Sequence, residues 1–172
     1  NQWYQTELIS GIRVVRVKTF ISPNSGVFLR SLDFCSFGIM GFLAGCVQIR
    51  PDLIAATSPQ FFAAVSGWSI SVCRGLPFVF ELGDIWPSSI SAVGAFDRKS
   101  ILHVFEKLEL FLYKRSTRIV ALTESFKTNL IRRGIAKQKI DVVMNGVDLA
   151  RYTPQSPNKK LIKKLNLKNK FV

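Results

Sequence analysis

Pro77-Phe78-Val79-Phe80-Glu81-Leu82-Gly83-Asp84-Ile85-Trp86-Pro87 is an apolar run that turns abruptly into two carboxylates, a glycine and a Trp-Pro pair. Its β-favouring start, without polar alternation, predicts a strand buried on both faces, the usual state inside a parallel sheet. Glu81 and Asp84 then fall at its carboxyl end. In open parallel α/β sheets the loops diverge at that end into a crevice where ligands bind, so these two are the first candidates for chemistry. A structural reading stands beside the chemical one: Asp84 as cap of a helix opened by Pro87, and Glu81 paired with one of many bases.

Working outward, the same signature recurs. Leu53-Ile54-Ala55-Ala56-Thr57, Arg118-Ile119-Val120-Ala121-Leu122 and Ile140-Asp141-Val142-Val143-Met144 read as further short strands. Each ends in polar or turn-forming residues: Ser58-Pro59, Thr123-Glu124-Ser125 and Asn145-Gly146-Val147-Asp148. Ser58 is placed to cap the following helix or to help hold a ligand, with capping the simpler role. Thr123 is placed as the N-cap of a helix that runs to Arg133 and stops at Gly134. Asn145-Gly146 predicts a tight turn.

Helical patterns alternate with these strands. Val27 to Ile49 predicts one long or two consecutive helices, ended by Pro51. A second helix runs from Pro59 to about Cys73, a short one carries Ile90 and Val93, and an amphipathic one spans 100–116 with His103 on it. Gly11 precedes Ile12-Arg13-Val14-Val15-Arg16-Val17, a strand with one polar side that fits a sheet edge. Strands and helices in alternation predict right-handed crossovers, hence an α/β, Rossmann-like parallel sheet with helices on both faces.

Composition narrows the function. The 172 residues are 48% hydrophobic, enough for one ordinary core. Net charge is +13, and seven bases with no acid lie between Arg151 and Val172, leaving +6 for the rest. Such a surface suits anionic lipid, nucleic acid or phosphorylated substrates, or is simply a solvated helix face. The apolar run Phe34–Val47 falls short of the about 20 residues that span a bilayer, and Gly41 and Gly45 within it let a helix lie close to a sheet. Cys35, Cys46 and Cys73 form no C-x-x-C pair, and with one histidine no zinc site is expected. No G-x-G-x-x-G, no P-loop and no complete nucleophile elbow occurs, which counts against dinucleotide enzymes, NTPases and serine hydrolases. Bases interleaved with exposed aromatics are lacking too, so no nucleic-acid partner is expected.

Phe78 to Pro87, Ala121-Leu122-Thr123-Glu124-Ser125-Phe126-Lys127, and Met144-Asn145-Gly146-Val147-Asp148 followed by Tyr152 and Pro154, together resemble the N-terminal half of family 4 glycosyltransferases of the two-Rossmann, GT-B type. Arg50-Pro51-Asp52 and Thr57-Ser58-Pro59 support the likeness, which looks strongest to bacterial enzymes of surface-polysaccharide synthesis. The resemblance implies a retaining glycosyltransferase of the hexosyl or N-acetylhexosaminyl class, needing no metal. Its partners would be a nucleotide-sugar donor, a glycan or lipid-linked glycan acceptor and an anionic membrane surface, at the inner face of the cytoplasmic membrane. Residues 1–154 would form the acceptor-binding domain without its first strand, and 155–172 a linker into a missing donor domain, so the chain reads as a fragment that is inactive alone. In that frame Asp84 and Glu81 are catalytic, Ser58, Trp86, Pro87, Thr123 and Glu124 bind acceptor, and Asn145, Gly146 and Asp148 approach an interdomain hinge. Gly83 stands where related enzymes often carry a basic side chain. A non-catalytic, basic, membrane-associated scaffold is the alternative, and a nucleotide-sugar epimerase or dehydrogenase a weaker one.

Overall fold

A computed structural model describes residues 3–22, 27–85, 99–153, 156 and 158–167. The chain opens with a hairpin of β1 (Tyr4–Ile9) and β2 (Ile12–Val17), paired antiparallel from Tyr4 opposite Val17 to Ile9 opposite Ile12. Ser10 and Gly11 take φ of 50° and 83°, the positive values that a two-residue hairpin turn requires at both positions. The polar-sided strand foreseen over residues 12–17 therefore belongs to a hairpin of its own and not to the edge of the parallel sheet. Its partner strand was not foreseen, because Tyr4–Ile9 mixes polar and apolar residues without a clear period.

One continuous helix follows, α1 (Val27–Val47). Between Leu29 and Val47 it is long and apolar enough, by length and composition, to cross a bilayer, which the shorter run counted from Phe34 is not. Gly38, Gly41 and Gly45 share one side of it by their spacing of three and four. A Cβ on Gly38 would stand 3.2 Å from Phe62, and one on Gly45 2.4 Å from the Ile70 Cδ1. These glycines thus bring α1 against a second helix, α2 (Phe61–Arg74), where closeness to a sheet was foreseen. Arg74 adds two hydrogen bonds of 2.9 Å, donating from its guanidinium to the carbonyls of Gly45 and Gln48 at the end of α1.

The centre is a parallel sheet of β3 (Ile54–Thr57), β4 (Phe78–Leu82), β5 (Arg118–Ala121) and β6 (Ile140–Val142), in that order. The connecting helices are α2, α3 (Lys99–Arg115) and α4 (Glu124–Arg132), with a short 3-10 turn at Lys137–Lys139 before β6. Strands that neighbour each other in sequence order, joined by right-handed crossovers, put their helices on one side. Phe78, Phe80 and Leu82 of β4, with Ile119, Ala121 and Ile140, accordingly pack with Phe61 and Ala64 of α2, Leu112 and Tyr113 of α3 and Leu130 of α4. On the other face Ala55, Thr57, Glu81 and Arg118 are exposed, and no helix among the described residues covers them. β4 is therefore buried on one face, with Glu81 exposed between buried Phe80 and Leu82, where burial on both faces was foreseen. A last short helix, α5 (Lys159–Lys164), carries much of the terminal basic charge.

One charge lies inside this core. Glu109 of α3 is 1% exposed. The Tyr113 hydroxyl donates to its Oε1 at 2.7 Å and the Arg133 guanidinium to its Oε2 at 2.6 Å. Burial first, and then the Glu109 charge, push the Tyr113 hydroxyl far above the usual tyrosine range, so it stays a donor. Arg133 follows the end of α4, so the pair ties α3 to α4 beneath the sheet.

Three substitutions check this packing. A Cβ at Gly67 would stand 2.8 Å from the Ala56 Cβ, which cannot swing away, whereas the Ile70 tip that faces Gly45 can. Gly67→Ala should lower unfolding stability by about 1–3 kcal/mol, and Gly45→Ala by clearly less, in urea melts of the two variants. Glu109→Leu leaves Tyr113 without its acceptor and Arg133 with only the half-exposed Glu106 at 3.7 Å, and should cost about 3 kcal/mol by the same measurement.

Candidate functional site

The register of the sheet brings four strand ends to one edge. Thr57 lies opposite Glu81, Leu82 opposite Ala121, and Ala121 opposite Val142. Ser58, Glu81, Asp84, Thr123, Glu124 and Asn145 therefore gather at a common carboxyl edge from positions up to 87 residues apart in the chain. This is the edge at which a parallel sheet offers its loops to a ligand. Trp86 and Pro87, the short helix of Ile90 and Val93, and Pro154 lie outside the described residues.

Ser58 is the hinge of the arrangement. Its hydroxyl oxygen accepts from the backbone N–H of Gly83 at 3.0 Å and of Asp84 at 3.1 Å, and its O–H donates to the Asp84 carbonyl at 3.1 Å. The Ser58 amide also donates to the Glu81 carbonyl at 2.9 Å. One buried side chain thus closes the turn that follows β4. It does not cap α2, as was foreseen: that helix begins at Phe61, with Gln60 in the cap position and no side-chain cap. The reason is competition, since the two amides of the turn after β4 are equally in need of an acceptor. A Cβ on Gly83 would come 3.0 Å from the Ser58 carbonyl oxygen. Any larger residue there requires the Ser58 backbone to give way by a few tenths of an ångström.

The two carboxylates are held differently. Glu81 stands on the open face of β4 and is exposed, while Asp84 sits half-buried in the Ser58-bound turn. Among the described residues neither has a salt-bridge partner. Arg118 grips Asp141 through two 2.9 Å hydrogen bonds across β5 and β6. Two carboxylates at one strand end suit hydrogen-bond acceptance from hydroxyl groups.

The neighbouring strand ends are structural in part. Thr123 caps α4, its Oγ1 accepting from the Phe126 N–H at 3.2 Å, as foreseen, and exposed Glu124 opens the helix beside it. Asn145 and Gly146 form no tight turn. The turn comes later, where the Asp148 carboxylate accepts from the N–H groups of Ala150 and Arg151 and its carbonyl from those of Arg151 and Tyr152. An aspartate that supplies acceptors to amides two and three residues on makes the turn at its own position. His103, on α3, is exposed, with its Nδ1 3.9 Å from Glu106.

An α/β domain with carboxylates at the open edge of a parallel sheet defines a Rossmann-like binding domain. The Glycosyltransferase Family 4 model matches residues 3–151, and the chain belongs to that family. Among solved structures it is similar to Anabaena Alr3699/HepE in complex with UDP and glucose, at TM-score 0.58 and 24% identity over 79% of this chain and 35% of that one. The same protein in complex with UDP-glucose gives TM-score 0.58 and 23% identity over 78% and 33%. The chain spans about a third of the length of these GT-B glycosyltransferases, and at this identity the likeness concerns the fold. Among curated proteins none matches.

Ser58→Ala removes an acceptor from two amides and should lower stability by about 1–3 kcal/mol. Hydrogen exchange at Gly83 and Asp84 should quicken well beyond the rest of the sheet. A uniform change across β3 to β6 would show that the hydroxyl does not fix this turn.

Proposed function

We propose that the chain is the acceptor-side domain of a glycosyltransferase that moves a hexosyl or N-acetylhexosaminyl group from a nucleotide sugar to a lipid-linked glycan in cell-surface polysaccharide synthesis. The observation that carries this reading is the pair of carboxylates at the carboxyl end of β4, Glu81 exposed on the strand and Asp84 on a turn fixed by Ser58, in a chain of glycosyltransferase family 4. An acceptor hydroxyl donating to the Asp84 carboxylate gains nucleophilic character as its O–H bond lengthens. Its oxygen then bonds to the anomeric carbon as the bond from that carbon to the nucleotide diphosphate breaks, with retained configuration. Glu81 assists from the open face, and Trp86, Pro87, Thr123 and Glu124 shape the acceptor pocket.

The donor is held mainly by a second domain, reached through the exposed segment Asn145–Asp148, and the complexes of Alr3699/HepE with UDP and UDP-glucose support a nucleotide-sugar donor. No metal enters this reading. The surplus of bases from Arg151 onward supports attachment to an anionic membrane at its cytoplasmic face.

The test is titration of the 172-residue chain with an undecaprenyl-diphosphate-linked sugar in micelles and, separately, with UDP-glucose. The lipid-linked sugar should bind, and Asp84→Asn should weaken it by about tenfold, or 1.4 kcal/mol, at an unchanged urea midpoint. Binding indifferent to Asp84→Asn removes this residue from the site. Tight UDP-glucose binding by the chain alone reassigns the domain to the donor side.

A further inference from the structure

Opposite the carboxylates, at the amino edge of the sheet, the last turns of α2 and α3 border a hollow of about 490 Å³. Gly75 and Leu76, just before β4, and Thr117, just before β5, line it, which fixes its place at that edge. Pockets that hold small molecules fall within about 300–1,000 Å³ and set a few polar groups in an apolar wall.

The wall here is apolar and largely aromatic. Trp68 meets Phe111 edge-on at 5.0 Å, Val72 lies on the exposed side, and Phe78, 2% exposed, is the most buried of the apolar lining residues. The polar groups on the α2 side are already spent. The Ser71 hydroxyl donates to the Trp68 carbonyl at 2.7 Å, and the Ser71 and Val72 carbonyls accept from the N–H groups of Leu76 and Gly75 at 2.8 and 3.3 Å.

Two donors on the α3 side are not spent. The Arg115 guanidinium lies over the Phe111 ring, 5.5 Å from its centre, and has no hydrogen-bond or salt-bridge partner among the described residues. The Thr117 Oγ1 accepts from the Phe78 N–H at 3.1 Å, which leaves its own hydrogen to donate. Neither Asp nor Glu is among the lining residues. An apolar hollow whose unspent side-chain groups only donate, one of them fully charged, is complementary to a single anionic head on an apolar tail.

We propose that this hollow binds a long-chain fatty acid, its carboxylate on Arg115 and Thr117 and its tail along Trp68, Phe111 and Phe78. A guanidinium presents two parallel N–H groups to the two oxygens of a carboxylate, and the Phe111 ring beneath it favours the orientation that does so. A tail anchored in a bilayer would have to leave it to reach Phe78, so the occupant is a single molecule from solution. The hollow and the carboxylate site stand at opposite ends of β4, and the inference does not depend on the transfer reaction.

The test is calorimetric titration of the 172-residue chain with laurate below its micelle concentration, and with 1-dodecanol as the uncharged counterpart. Arg115→Gln removes the head contact, and Val72→Trp fills the hollow from a position 60% exposed. Lys114→Gln removes the next charge along α3, which is not a lining residue, and all three variants are checked for an unchanged urea midpoint. Laurate should bind at one per chain and about tenfold more tightly than the alcohol. Arg115→Gln and Val72→Trp should each weaken it about tenfold, and Lys114→Gln by less than about twofold. Equal affinity for the alcohol, equal loss with Lys114→Gln, or binding that survives Val72→Trp overturns the proposal. So does the absence of saturable laurate binding in a chain that phosphatidylglycerol vesicles capture and Val72→Trp or Arg115→Gln releases, which would assign the hollow to a bilayer; absence of both overturns it as well.

Discussion

Burial of one face of β4 is the constraint on which the remaining structure depends. Phe78, Phe80 and Leu82 are each 2% exposed or less, and each such side chain contributes about 2 kcal/mol by leaving water. The aromatic contacts are specific: Phe80 meets the Tyr113 ring edge-on at 5.1 Å, and Phe78 meets Phe80 at 6.2 Å. Because a strand alternates its side chains, a slip of one residue would bury Glu81 and expose Leu82. The register that buries the core is thus the register that presents the carboxylate, and stability and site geometry share one cause.

At the end of that strand, rigidity passes from packing to hydrogen bonding. Beyond Leu82 the chain leaves the sheet and its amides lose their ladder partners, so the turn would be loose if nothing accepted from it. The Ser58 hydroxyl supplies that acceptor from the neighbouring strand end, and Gly83 leaves room for the approach. A carboxylate held on a fixed turn loses little freedom when it meets a ligand, which is the condition for selective recognition. Below the same region, the Glu109–Tyr113–Arg133 group fixes α3 against α4, and the Asp84 charge is close enough to add to the upward push on Tyr113.

Much of the site was legible because it depends on local rules. Thr123 was readable as a cap from its position before a helical pattern, and Glu81 and Asp84 from the abrupt end of an apolar run. Family membership agrees with the same motifs, and the match over residues 3–151 includes them as far as Asp148. Ser58 was located but given the wrong partner, since a hydroxyl before a proline and a helix looks the same whether it caps that helix or binds a turn 25 residues further on. Gly41 and Gly45 were recognised as sites of close approach, and the approaching surface proved to be a helix.

The sequence by itself determined the parallel α/β class, the four strands of the parallel sheet and the set of polar residues that follow them, because strand and helix periods and turn chemistry act over a few residues. Tertiary structure alone decided that β4 is covered on one face, that β1 and β2 stand apart as a hairpin, that Ser58 serves Asp84, and that the glycines of α1 meet α2. Those outcomes turn on which surfaces meet across long stretches of chain, and a one-dimensional pattern of apolar residues records that a face is to be covered without recording by what.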